Sequence, residues 1–220
     1  MGKIIAVGSH KGGVGKSSLL LSILTFLMMR GKKCCILECD DQRTIFDWLS
    51  DRKDNADLTP VEYHECYTDI PERARKLAAK HDFVLMDTPG RKSAEFRKAL
   101  AVADILLTFV EPGAQVEINT LARMVNDVKT AQSGLNTNLQ AWIVLNKCTT
   151  DPRDTEATEL RKMLNDDPDW LPVPRQRIYY RKAHKHAYNC GMGIHEYNDK
   201  QGNKARGELE LLLKETGILC

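Results

Sequence analysis

The sequence predicts an α/β fold, a mostly parallel twisted sheet with helices on both faces. Three observations predict it. Short apolar runs alternate along the chain with longer segments of helical spacing. Runs such as Phe83-Val84-Leu85-Met86 read as buried parallel strands. Between the first strand and the first helix lies Lys11-Gly12-Gly13-Val14-Gly15-Lys16-Ser17-Ser18, a glycine-rich turn in the setting that phosphate binding requires.

The elements follow in order. Ile4 to Val7 is a buried strand. After the glycine turn, Leu19 to Met29 is apolar at most positions and predicts a buried helix that Gly31 ends. Lys33 to Cys39 is a second strand, with Cys34 to Leu37 as its buried part. Phe46 to Leu49 predicts a short helix and Arg52 to Pro60 a polar loop. Val61 to His64 reads as a short edge strand. Ile70 to Lys80 has helical spacing in Ile70, Ala74, Leu77 and Ala78. The strand Phe83 to Met86 closes in Asp87. Glu95 to Ala103 is a helix, Ile105 to Val110 a strand, and Val116 to Ala131 a long amphipathic helix. The strand Ala141 to Leu145 ends in Asn146-Lys147. Thr155 to Leu164 is helical until Asp166-Asp167-Pro168-Asp169 breaks it. Pro172 and Pro174 frame a turn. Arg181 to Tyr188 is helical and ends before Gly191 and Gly193, and a last helix runs from about Lys204 to Glu215.

Bulk composition narrows the class. The chain has 220 residues, 42% of them hydrophobic, which suits one domain over residues 1–220; no repeat or low-complexity linker divides it. A formal net charge of +2 means that any nucleic-acid contact must come from a local patch. The seven cysteines are odd in number and lack a C-x-x-C pair, which argues against a disulfide framework and for a reducing cytoplasm. There is no signal-peptide pattern, and no apolar run reaches the roughly 18 residues of a membrane span.

The glycine turn carries the chemistry. Gly12, Gly13 and Gly15 let the backbone fold around phosphates with its N–H groups inward, and the helix N-terminus adds partial positive charge. Val14 and Ser18 complete the loop. Lys16 is placed to reach the β- and γ-phosphates of ATP, and the Ser17 hydroxyl to ligate Mg²⁺. Asp87, at the carboxyl edge of its strand, is a second metal candidate that acts through a water. Glu38 and Asp40 stand two apart at the end of the second strand and share a face. That face opens beside the glycine turn if the two strands are neighbours.

The form KGGVGKSS, with His10 where the general motif has Gly and a second lysine at Lys11, resembles the deviant Walker A box of the ParA/MinD family of ATPases. The resemblance implies that Lys11 crosses an ATP-dependent homodimer seam to the partner's nucleotide. It implies that Asp40 positions or activates the attacking water. Glu38 stands where the family has Asp, a departure. Asn146 matches an adenine-contacting Asn, and Pro174 matches a proline-containing loop near adenine. The segment Ile178 to His184, with Ala187, Gly191 and Glu196, is similar to the tail of small partition ATPases, so the likeness covers about residues 3 to 215.

The resemblance further implies nonspecific DNA binding by the ATP dimer, nucleoid association and a centromere-binding, ParB-like partner that stimulates hydrolysis. The residues available for DNA are Arg175, Arg177, Arg181, Lys182 and Lys185, with Lys204 and Arg206 beyond. The segment Gly207 to Glu215 has an apolar stripe but an acidic polar face, so it predicts packing on the domain and no membrane contact. Two alternatives stay open. One is a positioning or conjugation-accessory ATPase acting on a protein cargo. The other is a metabolic P-loop enzyme of the dethiobiotin-synthetase kind, against which Lys11 and the tail argue.

Overall fold

A computed structural model describes residues 1–9, 12–89, 93–113 and 115–219, with the backbone alone for 115–120. Six strands form one sheet: β1 (Lys3–Gly8), β2 (Cys34–Glu38), β3 (Glu62–Glu65), β4 (Phe83–Asp87), β5 (Ile105–Val110) and β6 (Gln140–Leu145). Their order is β3-β2-β4-β1-β5-β6, and every pairing is parallel. Side chains alternate across it: Ile4 and Ala6 join one apolar cluster, Ile5 and Val7 the other.

Each cluster is completed by its own helices. On one face lie α3 (Ile70–Ala78), α4 (Ala94–Leu100), α5 (Gln115–Thr130) and α6 (Glu156–Asp166). On the other lie α1 (Lys16–Met29), α2 (Thr44–Lys53), α7 (Lys182–Asn189) and α8 (Asn203–Glu215). Leu19 to Leu27 of α1 are buried without interruption, because the helix sits under α7 and over the sheet. Its end is set by Gly31 at φ 73, a left-handed position that glycine occupies without Cβ strain.

The structure departs from the sequence reading in three places. First, β1 and β2 are not neighbours, since β4 lies between them and pairs Val7 with Asp87 on one side and Glu38 with Asp87 on the other. Second, α2 is longer than its apolar signal, and Arg52 belongs to it instead of opening a loop. Arg52 is 3% exposed, because its guanidinium is bound by Glu196 and by the carbonyls of Thr59 and Gly191. Third, α5 runs on into a π-helical turn, Ala131–Leu135. No helix among the described residues is long and apolar enough to cross a membrane.

Candidate nucleotide site

The carboxyl ends of β1, β2 and β4 and the start of α1 surround a cleft of about 1170 Å³, lined by Gly12, Gly13, Gly15, Lys16, Ser17 and Ser18 among others. The loop is held open by backbone geometry. Gly13 and Gly15 have φ of 81° and 85°. A Cβ on Gly15 would stand 2.8 Å from the Asn146 side-chain nitrogen, so position 15 excludes any larger residue. Val14, 2% exposed, pins the loop to the core between these glycines.

The polar groups of the loop converge on β4. Lys16 Nζ donates to Asp87 Oδ1 and to the Thr88 carbonyl, each at 2.5 Å, and lies 3.6 Å from Asp40 Oδ2. Ser17 Oγ donates to Asp87 Oδ2 at 2.9 Å and is 3.1 Å from Thr44 Oγ1. Asp87 is fully buried; burial raises its pKa, and the Lys16 ammonium and the Ser17 hydroxyl oppose that rise. Asp40, 7% exposed, accepts from the Gln42 N–H at 3.1 Å, which fixes one oxygen and leaves the carboxylate on the cleft wall. A serine hydroxyl and a carboxylate oxygen this close are hard donors that fit Mg²⁺, which prefers oxygen and keeps several waters.

Other predicted residues are placed differently. Glu38 does not line the cleft. It is fully buried, takes the Ile45 N–H at 3.3 Å and the Tyr63 hydroxyl, and so holds the start of α2 against the edge strand instead of facing a metal. Its carboxyl is raised above the usual range by burial, against the pull of those two hydrogen bonds. Pro174 is buried away from the cleft. Asn146 does line it, with its amide donating to the Val14 carbonyl at 2.5 Å. Lys11 lies outside the described residues.

The tail cations divide. Arg181 is tied to Glu208 through Nε at 2.9 Å and Nη2 at 2.5 Å, with its guanidinium over the Tyr179 ring. Arg206 donates to the carbonyls of Tyr197 and Asp199, and Arg177 to Thr158 Oγ1 at 3.0 Å. These three are internal fasteners. Arg175, Lys182, Lys185 and Lys204 are exposed, and Lys185 lines the cleft. The sequence reading passed over Lys147, whose Nζ donates to the Gly13 carbonyl at 2.5 Å from a backbone of φ 54. It also passed over Tyr188, whose hydroxyl donates to the Thr44 carbonyl at 2.9 Å. Lys147 follows the flagged Asn146 directly, which was its only signal.

Comparison with known proteins agrees with this geometry. The family model described as ATPase MipZ matches residues 3–187. Protein ParA of Rhizobium radiobacter is 23% identical over 207 residues, covering 92% of this chain and 89% of that protein. The maintenance of carboxysome distribution protein A of Halothiobacillus neapolitanus is 24% identical over 213 residues, covering 96% and 94%. Among solved structures, apo McdA of Cyanothece superposes with a TM-score of 0.77 at 16% identity, over 98% of this chain and 99% of that one. A putative plasmid partition protein of Borrelia burgdorferi gives 0.68 at 16% identity, over 97% and 99%. With a glycine loop led by a second lysine, a lysine and serine converging on a buried strand-end aspartate, and a family model spanning residues 3–187, the chain belongs to the ParA/MinD family of ATPases.

Proposed function

We propose that the chain is one ATPase domain over residues 1–220 and that ATP closes two copies of it into a sandwich dimer. The dimer binds nonspecific DNA in the cytoplasm, on the nucleoid, and partitions a plasmid or chromosome. A centromere-binding, ParB-like partner stimulates hydrolysis and so releases it. The observation that carries this reading is the convergence of Lys16, Ser17, Asp40 and Asp87 at the mouth of the glycine loop.

Each group has one task. The loop amides and the α1 N-terminus cradle the phosphates. Lys16 exchanges its carboxylate partners for the β- and γ-phosphates. Ser17 and Asp87 would hold Mg²⁺, which would neutralise charge on the phosphates when bound. Asp40 orients the attacking water first and accepts a proton second, since phosphoryl transfer depends chiefly on positioning and electrostatics. Lys11 reaches across the dimer seam to the partner's nucleotide. Asn146 braces the loop from behind, beside the base. Glu38 acts at one remove, by holding α2 and with it Thr44.

The test is retention on nonspecific duplex DNA with ATP, ADP or no nucleotide at two salt concentrations, with Lys11→Ala alongside and dimerisation followed in parallel. ATP-dependent, salt-sensitive retention that Lys11→Ala abolishes is expected. Absence of ATP-driven dimerisation overturns the reading. A second reading, a positioning ATPase with a protein cargo, is favoured by the end-to-end similarity to a carboxysome distribution protein. It takes over if wild type dimerises on ATP without being retained on DNA.

A further inference from the structure

Two successive residues at the end of β6 hold two successive carbonyls of the phosphate loop. Asn146 donates from Nδ2 to the Val14 carbonyl at 2.5 Å, and Lys147 from Nζ to the Gly13 carbonyl at 2.5 Å. Neighbouring residues of a strand point to opposite faces, so a continued strand would not bring both side chains to one loop. The chain turns instead. Lys147 has φ 54, a left-handed conformation that a residue with a Cβ adopts at a cost. Its stem then crosses the loop: Lys147 Cε lies 3.9 Å from where a Cβ on Gly15 would stand, and Nζ ends at Gly13.

The strand β5 supplies a third member. Glu111 follows its last residue, Val110, and Glu111 Oε2 is 3.5 Å from Lys147 Nζ. The two side chains are 39% and 32% exposed, and an ion pair this open to water adds little to stability. Its effect falls on the loop. A planar trans peptide points its C=O and N–H in opposite directions. With the Gly13 carbonyl turned to Lys147, the Val14 N–H points away from that ammonium; with the Val14 carbonyl turned to Asn146, the Gly15 N–H points away likewise. Backbone amides aimed together in this way form a nest for an anion. Lys147 thus stands on the carbonyl side of the loop, whereas Lys16 lies against Asp87 and Asp40.

We infer that Lys147 is a positioning residue for the phosphates, an inference that rests on the ATPase reading. It acts through two groups. It fixes the peptide between Gly13 and Val14 so that the Val14 amide faces the bound anion. Asn146 fixes only the next peptide, and Gly12 and Gly13 leave this one free to turn without the ammonium. A loop lacking Lys147 has to order that peptide at the moment of binding, which weakens affinity. Lys147 also neutralises Glu111, a carboxylate that would otherwise stand uncompensated beside the loop that receives a polyanion.

The experiment titrates a fluorescent ATP analogue with Mg²⁺ into the full chain and reads affinity and stoichiometry separately. Lys147→Asn removes the ammonium and keeps a residue that tolerates the left-handed backbone; Lys147→Arg keeps a cation. Lys147→Asn is expected to weaken binding about tenfold or more at unchanged stoichiometry. A role in folding alone would instead lower the stoichiometry and leave the affinity of the folded copies as it was. Lys147→Arg is expected to recover most of the loss. Adding Glu111→Gln to Lys147→Asn is expected to recover part of it, a part that shrinks as salt rises. The inference is overturned if Lys147→Asn binds within about twofold of wild type, if it loses stoichiometry and keeps affinity, if Lys147→Arg loses as much, or if the double variant recovers nothing. Wild type that does not bind the analogue overturns the ATPase reading and this inference with it; a wild type that binds while the variants behave otherwise than stated overturns the role of Lys147 alone.

Discussion

Replacing Arg52 tests how the tail is held to the nucleotide-binding body. The guanidinium is 3% exposed and makes four hydrogen bonds. Two go to Glu196 at 2.8 and 2.9 Å, one to Thr59 O at 2.8 Å and one to Gly191 O at 2.9 Å. It also lies 5.1 Å from the centroid of the Trp48 ring. Arg52→Met keeps much of the stem's packing but strands the Glu196 carboxylate and two carbonyls in a site with little water. Breaking a buried ion pair from one side costs about 3–5 kcal/mol. At roughly 2–4 °C per kcal/mol for a chain of this size, Tm falls by about 10 °C. Arg52→Met with Glu196→Leu removes the stranded charge and recovers most of that loss, although the Gly193 N–H, which Glu196 accepts at 2.9 Å, stays unpaired. Urea unfolding followed by far-UV circular dichroism supplies the cycle. A single-mutant cost below about 1 kcal/mol, or a double mutant no better than the single, refutes the reasoning.

Gly15→Ala forces a Cβ onto a backbone of φ 85 and to within 2.8 Å of the Asn146 amide, whereas Gly12 has open space around it. Binding of a fluorescent ATP analogue should fall at least about tenfold in Gly15→Ala, because the loop amides are re-aimed. Thermal stability should drop in Gly15→Ala and hold in Gly12→Ala. Acidification should destabilise the protein through His184, whose pKa burial lowers to about 4, aided by Arg181 and His195. The folded state binds its proton more weakly than the unfolded chain. Stability is therefore intact above about pH 6.5 and is lost as pH falls toward 4, by up to about 1.4 kcal/mol per pH unit. His184→Gln should lose less Tm than wild type between pH 7 and 5, and equal losses would sink the assignment.

What could be read from the sequence was local. Strand, glycine turn and helix follow one another within Ile4 to Met29, so their chemistry is carried by adjacent residues; Asp87, 70 residues beyond Ser17, was legible because it closes an apolar run of its own. What escaped was set by groups far away in the chain. Glu38 looked like a metal-facing carboxylate because spacing puts it on the face of Asp40, but Tyr63, 25 residues on, claims it. Arg181 sits in a basic run that offered DNA contact and a structural role alike, and its pairing with Glu208 of α8 gives it the structural one. Arg52 looked like loop because it is charged, and its partner Glu196 lies 144 residues away. Charge in a sequence states what a side chain can do, and only the fold states which partner has used it.

The place of β4 between β1 and β2 also bears on how the molecule is made. Until residues 83–87 have left the ribosome, the first two strands have no partner in common, and the glycine loop lacks the aspartate on which its lysine and serine rest. The nascent chain therefore carries an apolar α1 and an unpaired β1 through much of its early synthesis, while β2 has only the edge strand β3 to pair with, a stretch in which chaperone capture and misassembly compete with folding. Insertion of β4 gives the loop its aspartate, and the later Asn146 and Lys147 complete the brace behind it, which makes nucleotide affinity a reporter of whether the whole sheet of a given copy has assembled.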